Sequence, residues 1–507
     1  MANIVHWDLE KYSERRRLIN FSQNIWMFDW GSLVAFLLAF VLYILTLAPT
    51  IFNLDSAELT TAVATGGIVR ATGYPLYLVL GSFWKFLPIG DLGYRMNLFS
   101  AFWGATTIFL AARILRQLNV APWIRLAALG LLATAPFFWA MSLIAEVYTL
   151  HTALMAGVIL SLMIWAKSPS PFRLALPVLL VTLSMGNHAA TVLIIPGCIW
   201  FVVSQHPQQL MKPRVLIAAL LAILVGGTIF LYIPWQFGHN PAFNYAGVYD
   251  SSGQFVPVDL QSLDGFLWLV TGKAFSGQMF AYRWTELWPE IKAFGEQLWA
   301  AFFIIGLGPG LLGMFVLIKK SRSLGGMFLL IFLANAVFYI NYRVIDKYTM
   351  YLPTFLIWAL WLGVGYQVMV EWIRGLNTSR ALNWAFMGFT IGAVLFAAVW
   401  NWERVDLSGD WSTRDQSEEI LKIVEPDSIV FGWWDIVPGI QYLQLVEGRR
   451  PDVKTYNRFL ISAQDMNQLI LDNIDEHSVY INNPSIQLLN QVNATKVGPL
   501  FRLESRE

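Results

Sequence analysis

The stretch GSLVAFLLAFVLYILTLAPTIFNLDSAELTTAVATGGIVRATGYPLY, residues 31–77, decides the fold class. It opens on an uncharged apolar run of about 20 residues, the length a helix needs to cross a bilayer. Directly after that run it sets two carboxylates, Asp55 and Glu58, three residues apart. The composition agrees with a chain that repeats such runs. Of 507 residues, 56% are hydrophobic and 13% charged, against roughly 25% charged in ordinary soluble domains. The 23 tryptophans suit the aromatic belts found at membrane interfaces. A net charge of +1 gives no electrostatic reason to expect a nucleic-acid partner. Cys198 is the single cysteine, so no intrachain disulfide is possible, and its apolar surroundings read as a small buried filler. The first apolar run starts near residue 31 and has the length of a span rather than of a cleaved leader.

Outward from that stretch, apolar runs at 31–50, 96–115, 122–141, 147–166, 172–187, 189–204, 214–233, 298–318, 325–342, 349–370 and 381–401 predict about eleven spans. The run 76–88, LYLVLGSFWKFLP, is shorter and holds Lys85. If it lies on the membrane, KYSERRR, RILRQLNVAPWIR, KSPSPFR, KPR, KKSR and RGLNTSR all fall on one side, and SLIAEVY and GNH, which have no Lys or Arg, on the other. The positive-inside rule then holds in every short loop except NYRVIDKY. Making 76–88 a span inverts everything downstream and breaks the rule repeatedly. The expected arrangement is an integral, multi-pass protein with a cytoplasmic N-terminus and an extracytoplasmic tail. Its parts are a membrane domain, 1–402, with external loops at about 51–95 and 234–297, and an external unit, 403–507. The tail is polar, and DSIVFGWW, DVKTY, SVYIN and PLFRLE read as short strands between the helical stretches SEEILKIV and QDMNQLILDNI. A small α/β domain is expected there.

The ionisable residues sort by depth. Span centres hold essentially none, although proton relays and ion pathways normally need them. Asp55, Glu58, Glu146, His151, His188, Asp346 and Lys347 gather instead at external span ends. Each has a plain structural reading. Asp55 can cap a short helix with Glu58 completing a capping box. Glu146 and His188 can be rim residues, His151 a hydrogen-bonded structural group, and Asp346 and Lys347 a local ion pair. Their shared side argues for one site at the outer membrane surface. There, a carboxylate of the first external loop would act as general base, and two acids at helical spacing can raise each other's pKa. A substrate arriving from the membrane on a lipid phosphate calls for nearby cations, and Arg70, Arg95, Arg343 and Lys347 are external in this topology. No metal-ligand spacing and no phosphate-cradling glycine loop is present in the sequence. A transporter or flippase would show charged span centres or paired broken helices, and neither is visible.

The order TLAPTIFNLDSAEL, TGYPLYLVLGSFWKFLPIGDLGYRMNLFSAFWGA, AEVYTLH, LSMGNHAATV and YIPW resembles one branch of the GT-C class of integral-membrane glycosyltransferases. That branch includes the transmembrane protein 260 protein O-mannosyltransferases. The tail PDSIVFGWWDIVPGIQYLQLVEGRRPDV is similar to the external tail of bacterial members, whereas the match between about 240 and 400 is weak. The resemblance implies a GT-C fold, a polyprenyl- or dolichyl-phosphate-linked sugar (mannose among the candidates) as donor, and inverting transfer to a protein or glycan hydroxyl on the external face. No further cofactor is implied. Asp55 and Glu58 match the two acids of the family's Asp-Ser-Gly-Glu-Leu pattern, with Ala57 in place of its glycine. The resemblance makes them the catalytic pair. Where the family usually reads His-Pro-Pro-Gly-Tyr-Pro, this chain reads Arg70-Ala71-Thr72-Gly73-Tyr74-Pro75, which offers an arginine to the donor phosphate. The expected substrate-binding set is Arg70, Tyr74, Arg95, Glu146, His188 and Lys347. A catalytically silent relative that only binds is the alternative.

Overall fold

The computed structural model describes residues 29–375 and 380–506. The basic segment KYSERRR and most of the RGLNTSR loop lie outside the described residues. Among the described residues, six helices are long and apolar enough to cross a membrane: Leu92–Gln117, Tyr148–Lys167, Pro213–Gly238, Arg322–Ile340, Lys347–Gly375 and Arg380–Val405. A pair bent by 100°, Trp284–Phe303 and Ile305–Lys320, makes a seventh when counted as one span. Four shorter apolar helices, Trp30–Leu45, Pro122–Ala133, Pro171–Asn187 and Ala189–Gln205, fall on the remaining expected spans. Pro75–Trp84, with 10 residues, extends only about 15 Å, half of a hydrocarbon core of about 30 Å. Its length suits a helix lying along the surface.

Two expected spans depart from plain rods. The run at 122–141 stops at Ala133 and restarts as the short helix Pro136–Ala140. Pro136 has no N–H to continue the first helix, but it suits the opening turn of the second. The run at 298–318 belongs to Leu287–Lys320, which turns sharply where Phe303 adopts φ +51°. The arm before that turn carries Glu290, Lys292 and Glu296, charges that disfavour a place in the bilayer centre.

Leu352–Gly375 is the central helix, buried along most of its length. It packs closely against Leu287–Lys320, where a Cβ on Gly313 would meet the Trp361 carbonyl oxygen at 1.8 Å. Small residues at such crossings let helix backbones approach within the membrane. By contrast, Pro213–Gly227 and Arg380–Val405 present Leu216, Leu220, Leu224, Leu395 and Val399 outward. So wide an apolar surface would be a liability in water and is natural against lipid. Asp29 pairs with Arg125 at 2.7 Å and Arg116 at 3.5 Å at one end of the bundle. The acid-rich loops lie at the other.

The tail forms a five-stranded mixed sheet of order β4-β3-β5-β7-β6, with β3 Ile429–Gly432, β4 Lys454–Asn457, β5 Val479–Ile481, β6 Val492–Val497 and β7 Leu500–Ser505. β3 runs parallel to both β4 and β5, whereas β7 is antiparallel to β5 and β6. A hairpin in the large loop, β1 Gly247–Tyr249 with β2 Phe255–Pro257, bridges to this unit through Tyr249 and Ile461. The tail is docked on the membrane domain. Arg414 reaches Asp91 at 3.3 Å, and helix Val437–Leu445 lies on helix Asp55–Thr65.

Candidate active site

The loop after the first apolar helix folds back through the short helix Asp55–Thr65. Asp55 and Glu58 both fall in its first turn, where the helix dipole favours negative charge. The capping-box expectation is not met. The N-cap position belongs to Leu54, at φ +57°, and no side chain caps the helix. Gly66, in the left-handed conformation that glycine adopts without strain, closes its other end. The chain then runs beside the large loop, the Ile68 N–H donating to Phe243 O at 2.9 Å and the Tyr245 N–H to Ile68 O at 2.9 Å. This pairing delivers Arg70 to the acids.

The Arg70 guanidinium donates to Asp55 Oδ1 and lies 3.8 Å from Glu58 Oε2, while its backbone N–H donates to Glu58 Oε1 at 2.9 Å. Asp55 and Arg70 keep some exposure, 17% and 21% of their side chains, whereas the Glu58 side chain keeps 2%. Asp55 is therefore the carboxylate a substrate can reach, and Glu58 stands behind it. The carboxyls of Glu58, Glu146 and Asp346 are each held above the ordinary carboxylate range. Burial is the first cause, and the Asp55 charge pushes all three the same way. Arg70 opposes the rise in each. These residues come from three separate loops, so Asp55 and Arg70 stand where the loops converge.

Tyr74 and His188 form another wall. Their rings lie 6.0 Å apart at 28°, with Tyr148 5.7 Å and His151 5.4 Å from His188. The Ala190 N–H donates to His188 Nδ1 at 3.1 Å, so the proton of the neutral imidazole sits on Nε2. Burial lowers the His188 pKa to about 4, which keeps the ring neutral and Nε2–H a donor at physiological pH. Glu146 is positioned by a residue that the sequence reading noted only as part of a matching motif. Asn97 donates from Nδ2 to Ala48 O at 2.9 Å and Thr50 O at 2.8 Å, and its Oδ1 accepts the Ala145 N–H at 2.8 Å. One buried side chain thus ties the end of the first helix to the Glu146 loop.

Two expected members have other partners. Arg95 donates to the carbonyls of Ile89, Lys85 and Gly90 at 2.8, 2.6 and 3.0 Å. Its guanidinium closes the loop after Pro75–Trp84. Lys347 is 2% exposed and pairs with Glu290 at 2.5 Å, with Tyr282 OH at 3.2 Å. Adjacent residues do not face each other on a helical turn, and Asp346 joins the Asp55 field while Lys347 turns to Glu290. Arg343 lies 3.8 Å from Glu286. Trp434, from the tail, was not singled out by the sequence, and its ring lies 4.3 Å from Arg70 Cζ. Among the described residues, no group of three or more His, Cys, Asp or Glu side chains is placed to hold a metal ion.

The protein O-mannosyl-transferase TMEM260 N-terminal domain family matches residues 55–211, beginning at Asp55. Protein O-mannosyl-transferase TMEM260 of Mus musculus is 28% identical over 212 residues, which make up 40% of this chain and 30% of the mouse protein. The match thus spans less than a third of that relative's length. ArnT from Cupriavidus metallidurans bound to undecaprenyl phosphate superposes with a TM-score of 0.58 at 11% identity, covering 93% of this chain and 98% of ArnT. The apo form of the same protein gives 0.55 at 13% identity, covering 93% and 97%. At such identity the likeness speaks for the fold. Over residues 55–211 the chain is similar in sequence to the TMEM260 N-terminal domain, and as a whole it is a multi-pass membrane protein with a GT-C fold like that of ArnT.

Proposed function

We propose that the chain is a membrane glycosyltransferase that moves a sugar from a polyprenyl- or dolichyl-phosphate carrier to an acceptor hydroxyl on the extracytoplasmic face. The observation that carries this reading is the partly exposed Asp55, held by Arg70 at the first residue of the TMEM260-like segment. In the proposed reaction Asp55 takes the acceptor's hydroxyl proton, and the oxygen attacks the anomeric carbon. The bond from that carbon to the phosphate oxygen breaks, the lipid phosphate leaves with the electron pair, and a single displacement inverts the configuration. Arg70, with its fork of N–H donors, and the neutral His188 Nε2–H are suited to the leaving phosphate. Glu58 holds the Arg70 backbone and guanidinium in register. That ArnT is described with undecaprenyl phosphate bound supports a lipid-phosphate donor. The TMEM260 name supports mannose as the sugar and a protein as acceptor.

The test is transfer by the purified protein from radiolabelled polyprenyl-phosphate mannose, with other polyprenyl-phosphate hexoses beside it, to protein and glycan acceptors. Glycans on cell-surface material with and without the gene are compared in parallel. Transfer from none of the donors, with glycans unchanged, overturns the reading. One observation favours a binding-only relative: Arg70 engages both carboxylates where the family carries a histidine.

A further inference from the structure

We propose that the external α/β unit completes the active site, with Trp434 as the residue that positions Arg70. The reaction arm of this inference rests on the glycosyltransferase reading; the packing arm does not.

β3 ends at Gly432, and the chain passes through Trp433, Trp434 and Asp435 before helix Val437–Leu445. These residues lie at the carboxyl end of a strand flanked on both sides by parallel neighbours. In open α/β sheets that edge is where ligands dock. Here it is turned onto the first external loop. Trp434 is 6% exposed, and its indole lies over the Arg70 guanidinium at 4.3 Å, with Phe275 of the large loop 6.0 Å from the same group. Tyr245 and Phe459 hold the indole edge-on at 5.1 and 5.4 Å. The Tyr245 hydroxyl in turn donates to Gln441 Oε1 at 2.5 Å, on the helix that follows Trp434. The first loop, the large loop and the tail therefore all close on one guanidinium.

A planar cation between two carboxylates still has freedom to tilt, and a flat aromatic face removes it. The attraction of the face for the cation grows when both are shielded from water, as here. Fixing the guanidinium fixes its N–H donors relative to Asp55, Glu58 and the place of the leaving phosphate. Trp434 reaches the reacting atoms only through Arg70, so it is a positioning residue.

The experiment uses the full chain in detergent, with Trp434→Phe, Trp434→Leu and Trp434→Ala, each alone and combined with Arg70→Gln. Trp434→Phe retains most of the transfer rate. Trp434→Leu and Trp434→Ala lower it by about ten- to thirty-fold, and the loss falls in kcat more than in the donor KM, because a tilted guanidinium meets the leaving phosphate out of line. In thermal melts the Trp434→Leu and Arg70→Gln losses combine to less than their sum. A leucine variant that matches the phenylalanine variant in kcat and donor KM, with additive melts, overturns the proposal and leaves Trp434 a space-filling side chain. If the wild type transfers no sugar at all, the glycosyltransferase reading fails and the melts alone decide this one. Should the leucine and alanine variants not fold, the same melts are run on Trp434→Phe. Its weaker face predicts a smaller but non-zero coupling to Arg70→Gln, and additivity overturns the proposal.

Discussion

Asp55→Asn separates the roles open to the acid pair. The substitution keeps the shape of the side chain and an oxygen that accepts from Arg70, and it removes the charge and the ability to take a proton. Its structural cost follows from the contacts. A hydrogen bond between charged groups contributes about 1.5–3 kcal/mol and a neutral one about 0.5–1.5, so the variant loses about 1–1.5 kcal/mol at the Arg70 contact. The lost charge in the first helical turn adds roughly 0.3–1 kcal/mol. In a chain this long the shift in melting temperature is a few degrees at most. The catalytic cost is far larger on the proposed reading. General base catalysis contributes about 10²–10⁴-fold, and a hundredfold loss corresponds to about 2.7 kcal/mol of barrier. The assay pairs thermal melts with initial transfer rates at saturating donor. The expected outcome is a nearly unchanged melt, donor binding within about threefold of wild type, and transfer reduced at least about a hundredfold. Full transfer by Asp55→Asn would refute the base assignment. Full transfer there, with loss in Glu58→Gln, would move the role to Glu58.

The Glu58 carboxyl, raised from 4.5 to about 8 first by burial, favours its neutral form in the folded state. The folded protein therefore binds more protons than the unfolded chain between those values, and stability falls as pH rises through that window. Glu58→Gln, neutral throughout, should flatten this slope in melts taken from pH 5 to 8.5; parallel curves would contradict it. Arg95→Ala removes three hydrogen bonds to backbone carbonyls and should lower stability by roughly 2–3 kcal/mol while leaving the donor KM unchanged. A tenfold rise in that KM with normal stability would return Arg95 to the substrate. A reporter fused after residue 501 should appear outside the cytoplasm and one near residue 120 inside. Finding both on one side would sink the proposed orientation.

Much of this fold was legible because its signals are local. Span length is written in consecutive residues, and eleven apolar runs reappear as helices in the expected order. β3, β4, β5 and β7 carry apolar alternation or short apolar runs. β6 does not, since VNATKV is largely exposed at the sheet edge, where burial selects no pattern. The three-residue strands of the β1–β2 hairpin are too short for a period to show. Helix Val437–Leu445 hides behind Pro438 and Gly439, which read as breakers although proline suits a first helical turn. The acid pair was legible for the same local reason, three residues on one helix. Partnerships were not. Nothing near Lys347 announces Glu290, and nothing near Arg70 announces Trp434.

Arg70 takes its physical setting from those distant partners. A histidine there would be mostly neutral near pH 7, and Asp55, Glu58, Glu146 and Asp346 would then face one another with no fixed positive charge among them. Arginine stays protonated under all physiological conditions, and here it sits directly against the two acids of the first turn. A bare cation so placed would hold Asp55 in a closed pair. On the proposed reading, the guanidinium's five donors leave room for both this pairing and a phosphate, because one carboxylate oxygen and one backbone-anchored glutamate do not exhaust them. Lysine, a point charge on a flexible stem, offers no such fork and no flat surface for an indole. The aromatic face of the tail and the arginine of the first loop therefore depend on each other. A chain that carries Arg70 gains from an external unit docked where Trp434 can cover it.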